Sequence, residues 1–265
     1  MTRLGPGDHR TAAGLAFRVV GEGEPLLLLH GLMVSGTMFA PLEPLLSDRY
    51  RLIVPDLRGH GKSGGLPGPY DVPGLAADLP ALIAEAGCER VAVLGYSHGG
   101  AIAQQLTHTH PALISRQLLT CTYACNVATL RERLEASVLT GMLAVWSPAT
   151  IATLVVRAMR TTTTGPIGMT EGQAAWLRGI MRENRAGPMR GAARGLVTFD
   201  SRPWLNELSA PTLVIGGADD TAVPRHHFDT LVKRIPGAAG RLVDRAGHTL
   251  IWTHTQELAT IVREI

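Results

Sequence analysis

The chain has few aromatic residues, little net charge and few cysteines, and each of these shortages excludes a class of protein. Phe, Tyr and Trp make up 5% of its 265 residues, too few for the stacking platforms that bind single-stranded nucleic acids. The net charge is +3, and no basic run or nucleic-acid motif occurs, so no nucleic-acid partner is expected. Cys88, Cys121 and Cys125 are an odd set that provides neither a disulfide framework nor the paired spacing of a zinc finger.

Long apolar runs are also missing. No apolar stretch approaches the roughly 18 residues that a transmembrane helix needs, so no membrane span is expected. The first nine residues contain no apolar core of a signal peptide, which favours a soluble, cytoplasmic protein. The apolar fraction of 45% and the charged fraction of 18% are typical of a globular domain. The sequence does not indicate an oligomeric state.

Short apolar runs alternate with helical patterns over most of the chain. Because loops between them are short, the alternation predicts an α/β fold with a mostly parallel sheet flanked by helices. Strands are predicted at residues 15–20, 26–29, 51–55, 90–94, 116–121, 211–215 and 240–244. Helices are predicted at residues 38–46, 72–86, 100–106, 224–235 and 254–265.

The alternation stops between residues 122 and 205, where only helical patterns occur. Helices are predicted at residues 130–146, 148–159, 171–183 and 189–198, with a loop over 161–168. The segment carries ten arginines and five acidic residues, and we interpret the arginines as a solvated outer face. The sequence therefore predicts a core of residues 1–121 and 206–265, with a helical cap of residues 122–205 inserted into it.

The most informative stretch is Gly95-Tyr96-Ser97-His98-Gly99, which follows an apolar strand and leads into a helix. A strand, a G-x-S-x-G turn and a helix together form the pattern of a nucleophile elbow, which exposes the serine hydroxyl at a sharp turn. Glycines there allow backbone segments to approach closely. The helix that follows directs amide N–H groups and the positive end of its dipole toward the reacting oxygen. The backbone N–H of His98 is therefore a predicted oxyanion donor.

A serine nucleophile needs a histidine base, and that histidine needs a carboxylate to orient it. His248 follows the last predicted strand, and the adjacent acids Asp219 and Asp220 follow the strand before it. The chain order Ser, Asp, His is the one expected for an elbow of this kind. We therefore predict His248 as the base and one of the two aspartates as its partner.

Four motifs at the ends of predicted strands carry a family resemblance. They are His30-Gly31, Asp56-x-Arg58-Gly59-x-Gly61-x-Ser63, Gly95-x-Ser97-x-Gly99, and Asp220-x-x-x-Pro224 with Gly247-His248. Each is weak alone, but the four in this order resemble the α/β-hydrolase superfamily. They are most similar to its serine-nucleophile, esterase- and lactonase-like branch with a helical cap.

The resemblance implies several roles. In similar proteins the catalytic Asp stands four residues before the proline, which favours Asp220 over Asp219. The second oxyanion donor is then the backbone N–H of Leu32. The implied activity is cleavage of a small apolar carboxylic ester or lactone through an acyl-enzyme, without cofactor or metal. Carbon–carbon bond hydrolases and cofactor-free haloperoxidases of this fold keep the same triad, and a non-catalytic binding member is a further alternative.

Other residues near the predicted site are assigned from position alone. Met142 and Trp146 of the predicted cap, and Trp252 after the base, are candidate pocket residues for an apolar substrate. His226 and His227 begin a helix after the acid loop and are predicted to lie at the surface. The sequence leaves open whether the His98 side chain lines the pocket and whether Asp219 contributes.

Overall fold

The computed structural model of the protein describes residues 4–162 and 168–264. Its strands are β1 Gly7–Arg10, β2 Ala16–Val20, β3 Glu24–Leu29, β4 Tyr50–Pro55, β5 Val91–Tyr96, β6 Ile114–Thr120, β7 Thr212–Gly217 and β8 Ala239–Val243. They form one sheet in the order β1-β2-β4-β3-β5-β6-β7-β8. The pairs β1–β2 and β2–β4 are antiparallel, and every other neighbouring pair is parallel. The predicted α/β class with a mostly parallel sheet is confirmed.

Helices cover both faces of the sheet. The leucine run of β3 shows why: Leu26 and Leu28 lie in one buried cluster, and Leu27 and Leu29 lie in another. Since successive side chains of a strand point to opposite faces, a fully apolar strand needs cover on both. The helices are α1 Glu43–Leu46, α2 Val72–Ala77, α3 Leu79–Glu85, α4 His98–Thr109, α5 Leu130–Val145, α6 Pro148–Thr162, α7 Glu171–Arg182, α8 Ala186–Thr198, α9 Arg225–Arg234, α10 Leu250–Thr253 and α11 Thr255–Arg263.

Prolines divide two of the predicted helices. The segment 72–86 contains two helices, α2 and α3, because Pro80 cannot donate a backbone hydrogen bond to the preceding turn. Pro80 lies in the first turn of α3, where the missing N–H is tolerated. The segment 38–46 is likewise a 3-10 turn over Gly36–Phe39 followed by the short α1, whose first turn contains a proline.

The edge strand β1 has no counterpart in the sequence prediction. Its residues are Gly, Asp, His and Arg, without the apolar alternation that marks a half-buried strand. The strand lies at the edge of the sheet and is mostly exposed, so it contributes little to the core. Backbone pairing with β2 alone defines it.

Four helices, α5 to α8, follow one another between β6 and β7. Helix α5 packs against α8, and α6 packs against α7. Helix α5 starts with a capping box in which Thr129 and Glu132 exchange side-chain and backbone hydrogen bonds. Positions 163–167 of the predicted loop lie outside the described residues. Within the described part of the chain, no helix is long and apolar enough to cross a membrane.

Candidate active site

Ser97 occupies a sharp turn between β5, which ends at Tyr96, and α4, which begins at His98. Its backbone angles are φ 55° and ψ −118°, a conformation that residues other than glycine rarely adopt. A Cβ atom at Gly95 would lie 2.4 Å from the carbonyl oxygen of Gly99, and one at Gly99 would lie 2.1 Å from that of Leu29. Both positions therefore require glycine, as the elbow prediction expects, because helix and strands approach too closely for a side chain.

The structure brings Ser97, His248 and Asp220 together in one chain of hydrogen bonds. His248 Nε2 lies 3.1 Å from Ser97 Oγ, and His248 Nδ1 lies 2.9 Å from Asp220 Oδ2. The three residues follow β5, β7 and β8, and the carboxyl ends of these parallel strands meet at one edge of the sheet. When Nδ1–H donates to the carboxylate, Nε2 is left to accept the proton of the serine hydroxyl.

The loop after β7 places Asp220, and not Asp219, against the histidine. The second carboxylate oxygen of Asp220 accepts the backbone N–H groups of Ala222 and Val223 at 2.9 and 2.8 Å. Asp220 is buried, whereas Asp219 is exposed. Three hydrogen bonds thus hold the Asp220 carboxylate in the orientation that faces His248.

The environment of His248 sets its proton affinity. Burial lowers the pKa of His248, but the charge of the Asp220 carboxylate and its hydrogen bond raise it more, so the pKa lies above its ordinary value of 6.5. The same carboxylate would stabilise the imidazolium that forms when His248 removes a proton from Ser97. The pair therefore combines a stronger base with a stabilised cation.

Tyr96, the residue before the serine, also contacts the histidine loop. Its hydroxyl donates a hydrogen bond to the backbone carbonyl of His248. Burial is the main cause that raises the pKa of Tyr96 well above its ordinary range, so the phenol keeps its proton. The G-x-S-x-G pattern leaves this position unspecified, so nothing in the sequence marks the contact.

The predicted oxyanion donors lie beside the serine. A Cβ atom at Gly31 would lie 3.4 Å from the Cβ of Ser97, so the chain preceding Leu32 passes directly against the serine. Within the part of the chain that the structure describes, neither the N–H of Leu32 nor that of His98 donates to a protein acceptor. Both donors are therefore available to a ligand oxygen.

The side chain of His98 does not line the cavity. It is fully buried, and its Nδ1 hydrogen-bonds the hydroxyl of Tyr123 at 3.0 Å. Burial lowers the pKa of His98 to about 3, so the ring is neutral. The sequence left open whether this side chain lines the cavity, and the structure places it in the protein interior, against Tyr123.

A cavity of about 260 Å³ opens over Ser97 and His248. Its walls are mainly apolar and include Met33, Leu139, Val155, Leu177, Met181 and Trp252. Such walls with a few polar groups are typical of small-molecule sites. A larger groove of about 360 Å³ lies near β1 and β2, but charged side chains such as Arg18 and Lys62 line it, and it contains none of the three predicted catalytic residues.

Two of the three predicted pocket residues are placed elsewhere. Trp252 lines the cavity, but Met142 and Trp146 are not among its lining residues. Ala136 and Leu139 of α5 line the cavity, whereas Met142, about one turn further along the same side of the helix, does not. Trp146 follows the last residue of α5 and is 44% exposed. The sequence predicted the helix, but not which of its turns border the cavity.

The buried residue Asn184 joins two loops that border the site. Its Nδ2 donates to the backbone carbonyl of Met33 at 2.8 Å, and its Oδ1 accepts the N–H of Gly61 at 3.0 Å. Met33 directly follows Leu32, the predicted oxyanion donor. No local pattern in the sequence marks Asn184, because its partners lie more than 100 residues away.

The prediction that His227 lies at the surface is wrong. His227 is 3% exposed and lines the cavity, where its Nε2 hydrogen-bonds Glu132 Oε1 at 3.0 Å. His227 is buried because α5 places the buried side chain of Glu132 over the start of α9. Its neighbour His226 is half exposed and lies 2.8 Å from the same carboxylate oxygen.

The family model of the alpha/beta hydrolase fold matches residues 24–255. The chain therefore belongs to the alpha/beta hydrolase fold family, as the motifs indicated. It is similar to a pimeloyl-[acyl-carrier protein] methyl ester esterase of Aeromonas hydrophila, with 30% identity over 91% of this chain and 95% of the relative. It is also similar to a magnesium-chelatase 30 kDa subunit of Rhodobacter capsulatus, with 32% identity over 86% of this chain and 82% of the relative.

Solved structures agree with the family at the level of the fold. An esterase from Exiguobacterium antarcticum superimposes with a TM-score of 0.86, covering 98% of both chains at 22% identity. The presence of esterases among the similar proteins supports the conclusion that the chain is an enzyme of the alpha/beta hydrolase type.

Proposed function

We propose that this protein is a serine hydrolase that cleaves a small apolar carboxylic ester or lactone through an acyl-enzyme. The observation that carries the proposal is the hydrogen-bonded chain of Ser97, His248 and Asp220 at the floor of an apolar cavity. Membership of the alpha/beta hydrolase fold family and similarity to a methyl ester esterase support it.

In the acylation step, Ser97 Oγ attacks the substrate carbonyl carbon while His248 Nε2 takes the hydroxyl proton. The backbone N–H groups of Leu32 and His98 hold the oxyanion, and loss of one such donor typically costs about 3 kcal/mol of transition-state stabilisation. When the tetrahedral intermediate collapses, the bond to the leaving oxygen breaks. His248 then returns its proton to that oxygen, and Asp220 stabilises the imidazolium between the two transfers.

In the deacylation step, His248 removes a proton from a water molecule that attacks the acyl carbon. Collapse of the second intermediate breaks the bond to Ser97 Oγ, which recovers the proton from His248. The products are the carboxylic acid and the alcohol. A lactone gives both groups on one molecule.

Residues 122–205 are proposed as the cap that determines which substrate fits. The cavity wall includes Leu139 of α5, Val155 of α6 and Leu177 of α7, so three of the inserted helices contribute to it. Their side chains are aliphatic, which favours an apolar acyl or alcohol group. The volume of about 260 Å³ favours a small substrate.

Two other classes of function are alternatives to this proposal. A carbon–carbon bond hydrolase or a cofactor-free haloperoxidase would use the same three side chains. A binding protein is the second class, and the similar protein of Rhodobacter capsulatus is named as a subunit of magnesium chelatase and not as a hydrolase. The aligned serine, histidine and aspartate favour catalysis, since binding alone does not require them.

The test is turnover of short- and medium-chain nitrophenyl esters by the wild-type protein and by Ser97→Ala. We expect the wild type to hydrolyse esters and to be labelled by a fluorophosphonate probe, and the variant to do neither. A wild type that neither turns over nor becomes labelled would contradict the hydrolase proposal. Turnover that survives in Ser97→Ala would contradict the assignment of the nucleophile. A panel of lactones and dienones then separates ester chemistry from carbon–carbon bond cleavage.

A further inference from the structure

A second cluster of ionisable side chains lies at the cavity wall, apart from Ser97 and its partners. It consists of Glu132 in the first turn of α5 and of His226 and His227 in the first turn of α9. The Nε2 atoms of the two histidines lie 2.8 and 3.0 Å from the same oxygen, Glu132 Oε1. Each of the three residues therefore contributes one potential ligand atom, and these three atoms all lie within 4.8 Å of one another.

Helix capping accounts for only one of the two carboxylate oxygens of Glu132. Its Oε2 accepts the backbone N–H of Thr129 at 2.8 Å and completes the capping box. Its Oε1 is not needed for that role, yet it is buried and faces two imidazoles. Adjacent residues of a helix point about 100° apart, but the rings of His226 and His227 have centroids only 4.1 Å apart. Three side chains from two helices therefore converge on one point.

We propose that Glu132, His226 and His227 bind a divalent transition-metal ion such as Zn²⁺. Two imidazole nitrogens and one carboxylate oxygen suit Zn²⁺ and its neighbours better than Mg²⁺ or Ca²⁺, which prefer oxygen ligands. Tetrahedral bonds of about 2.0–2.1 Å place ligand atoms roughly 3.3 Å apart. The observed separations of 2.8 and 3.0 Å need to widen by only a few tenths of an ångström.

The surroundings of the cluster also suit a metal. The hydrogen bond from Thr129 orients the Glu132 carboxylate as an outer-sphere partner orients a metal ligand. The side chain of His226 is 45% exposed, which provides an entry path from solvent. Glu132 and His227 line the cavity on the other side. Three protein ligands leave the fourth tetrahedral position open toward water or a ligand.

The bound ion would join two separate parts of the chain. Glu132 belongs to the inserted helical segment, and the histidines belong to α9, which follows β7. The ion would hold α5 against α9 at the edge of the cavity. This inference does not depend on hydrolase activity, because no step of the proposed reaction uses the three residues.

The experiment is a Zn²⁺ titration of the full-length protein after EDTA treatment and dialysis, followed by calorimetry, with Co²⁺ absorption as a second readout. We expect one ion per chain and, with Co²⁺, the visible bands of a tetrahedral site. His226→Ala removes a half-exposed ligand, so the variant should stay folded and lose at least about tenfold in affinity. Glu132→Gln should show the same loss.

Two control variants make the result specific. His110→Ala removes an exposed histidine at the end of α4 and should bind as the wild type does. His248→Ala disrupts Cys121, Asp220 and His248, the other group of side chains among the described residues that is close enough to bind a metal, and should also retain Zn²⁺. Thermal melting gives an independent check, since Zn²⁺ should raise the melting temperature of the wild type and of His110→Ala but not of His226→Ala.

Three results would overturn the proposal. The first is an affinity for Zn²⁺ that His226→Ala and Glu132→Gln leave unchanged. The second is an affinity that His248→Ala abolishes and His226→Ala keeps, which would move the ion to the other group. The third is no saturable binding by the wild type. Circular dichroism of each variant establishes that a lost affinity does not reflect unfolding.

Discussion

Replacing Gly99 by alanine should destabilise the protein, although the residue lies in a helix where alanine is intrinsically favoured. The higher helix propensity of alanine alone would raise the free energy of unfolding by about 1 kcal/mol. The new Cβ, however, would lie 2.1 Å from the carbonyl oxygen of Leu29 and 2.7 Å from that of His30. These are backbone atoms of β3 and its extension, which cannot move aside as a flexible side chain could.

The size of the effect follows from these two opposing contributions. Overpacking a well-packed interior typically costs about 1–3 kcal/mol, and several backbone atoms at such distances place this site at the upper end or beyond. After subtraction of the propensity gain, the free energy of unfolding should fall by at least about 2 kcal/mol. For a domain of this size, such a loss corresponds to a melting temperature lower by about 4–8 °C.

Gly141 and Gly179 provide matched controls, because each lies inside a helix and a Cβ there would meet no atom within 4 Å. Gly141→Ala and Gly179→Ala should leave the melting temperature unchanged or raise it by about 2–4 °C. The measurement is calorimetric melting of the three variants and the wild type. A Gly99→Ala protein that melts at or above the wild-type temperature would refute the claim that the elbow excludes a side chain.

Further predictions concern the site and the loops around it. Asp220→Asn should lower kcat for ester hydrolysis roughly 10⁴-fold, because the amide favours the wrong histidine tautomer, while Asp219→Asn should change steady-state rates little. Since catalysis needs neutral His248 and its pKa is raised, kcat/KM should fall on the acid side with a midpoint above pH 6.5, and a midpoint below that value would contradict the assignment. Asn184→Ala should lower the free energy of unfolding by roughly 2–4 kcal/mol in urea denaturation, because two backbone groups lose their buried partner. An unchanged urea midpoint would show that water replaces the amide.

The features that the sequence predicted well are those that depend on neighbouring residues. A short run such as Leu26–Leu29 between turn residues favours a strand buried on both faces, and the motif around Ser97 combines strand, turn and helix within a few positions. His248 and the pair Asp219 and Asp220 were predictable because each follows a strand of the same parallel sheet, whereas the choice of Asp220 came from the family resemblance. That an aspartate after β7 meets a histidine after β8 follows from topology and needs no knowledge of individual contacts.

The features that the sequence did not predict depend on distant partners. Asn184 bonds residues far from it in the chain, and Glu132 meets His227 only because α5 lies across the start of α9. The extent of the cavity along α5 raises the same problem. Leu139 lines the cavity and Met142, about one turn further along the same side of the helix, does not, so the helical pattern does not reveal where the cavity ends.

The backbone conformation of Ser97 has a consequence for the timing of events at the site. A residue held at φ 55° costs about 1–3 kcal/mol, and the packing of β5 and α4 offsets that cost during folding. The hydroxyl is therefore aimed at His248 before any substrate arrives, and the entropy of orienting it is lost once, when the chain folds. If Ser97 is the nucleophile, as proposed, a substrate that enters the cavity meets a hydroxyl that is already oriented, so its own binding free energy remains available for the transition state.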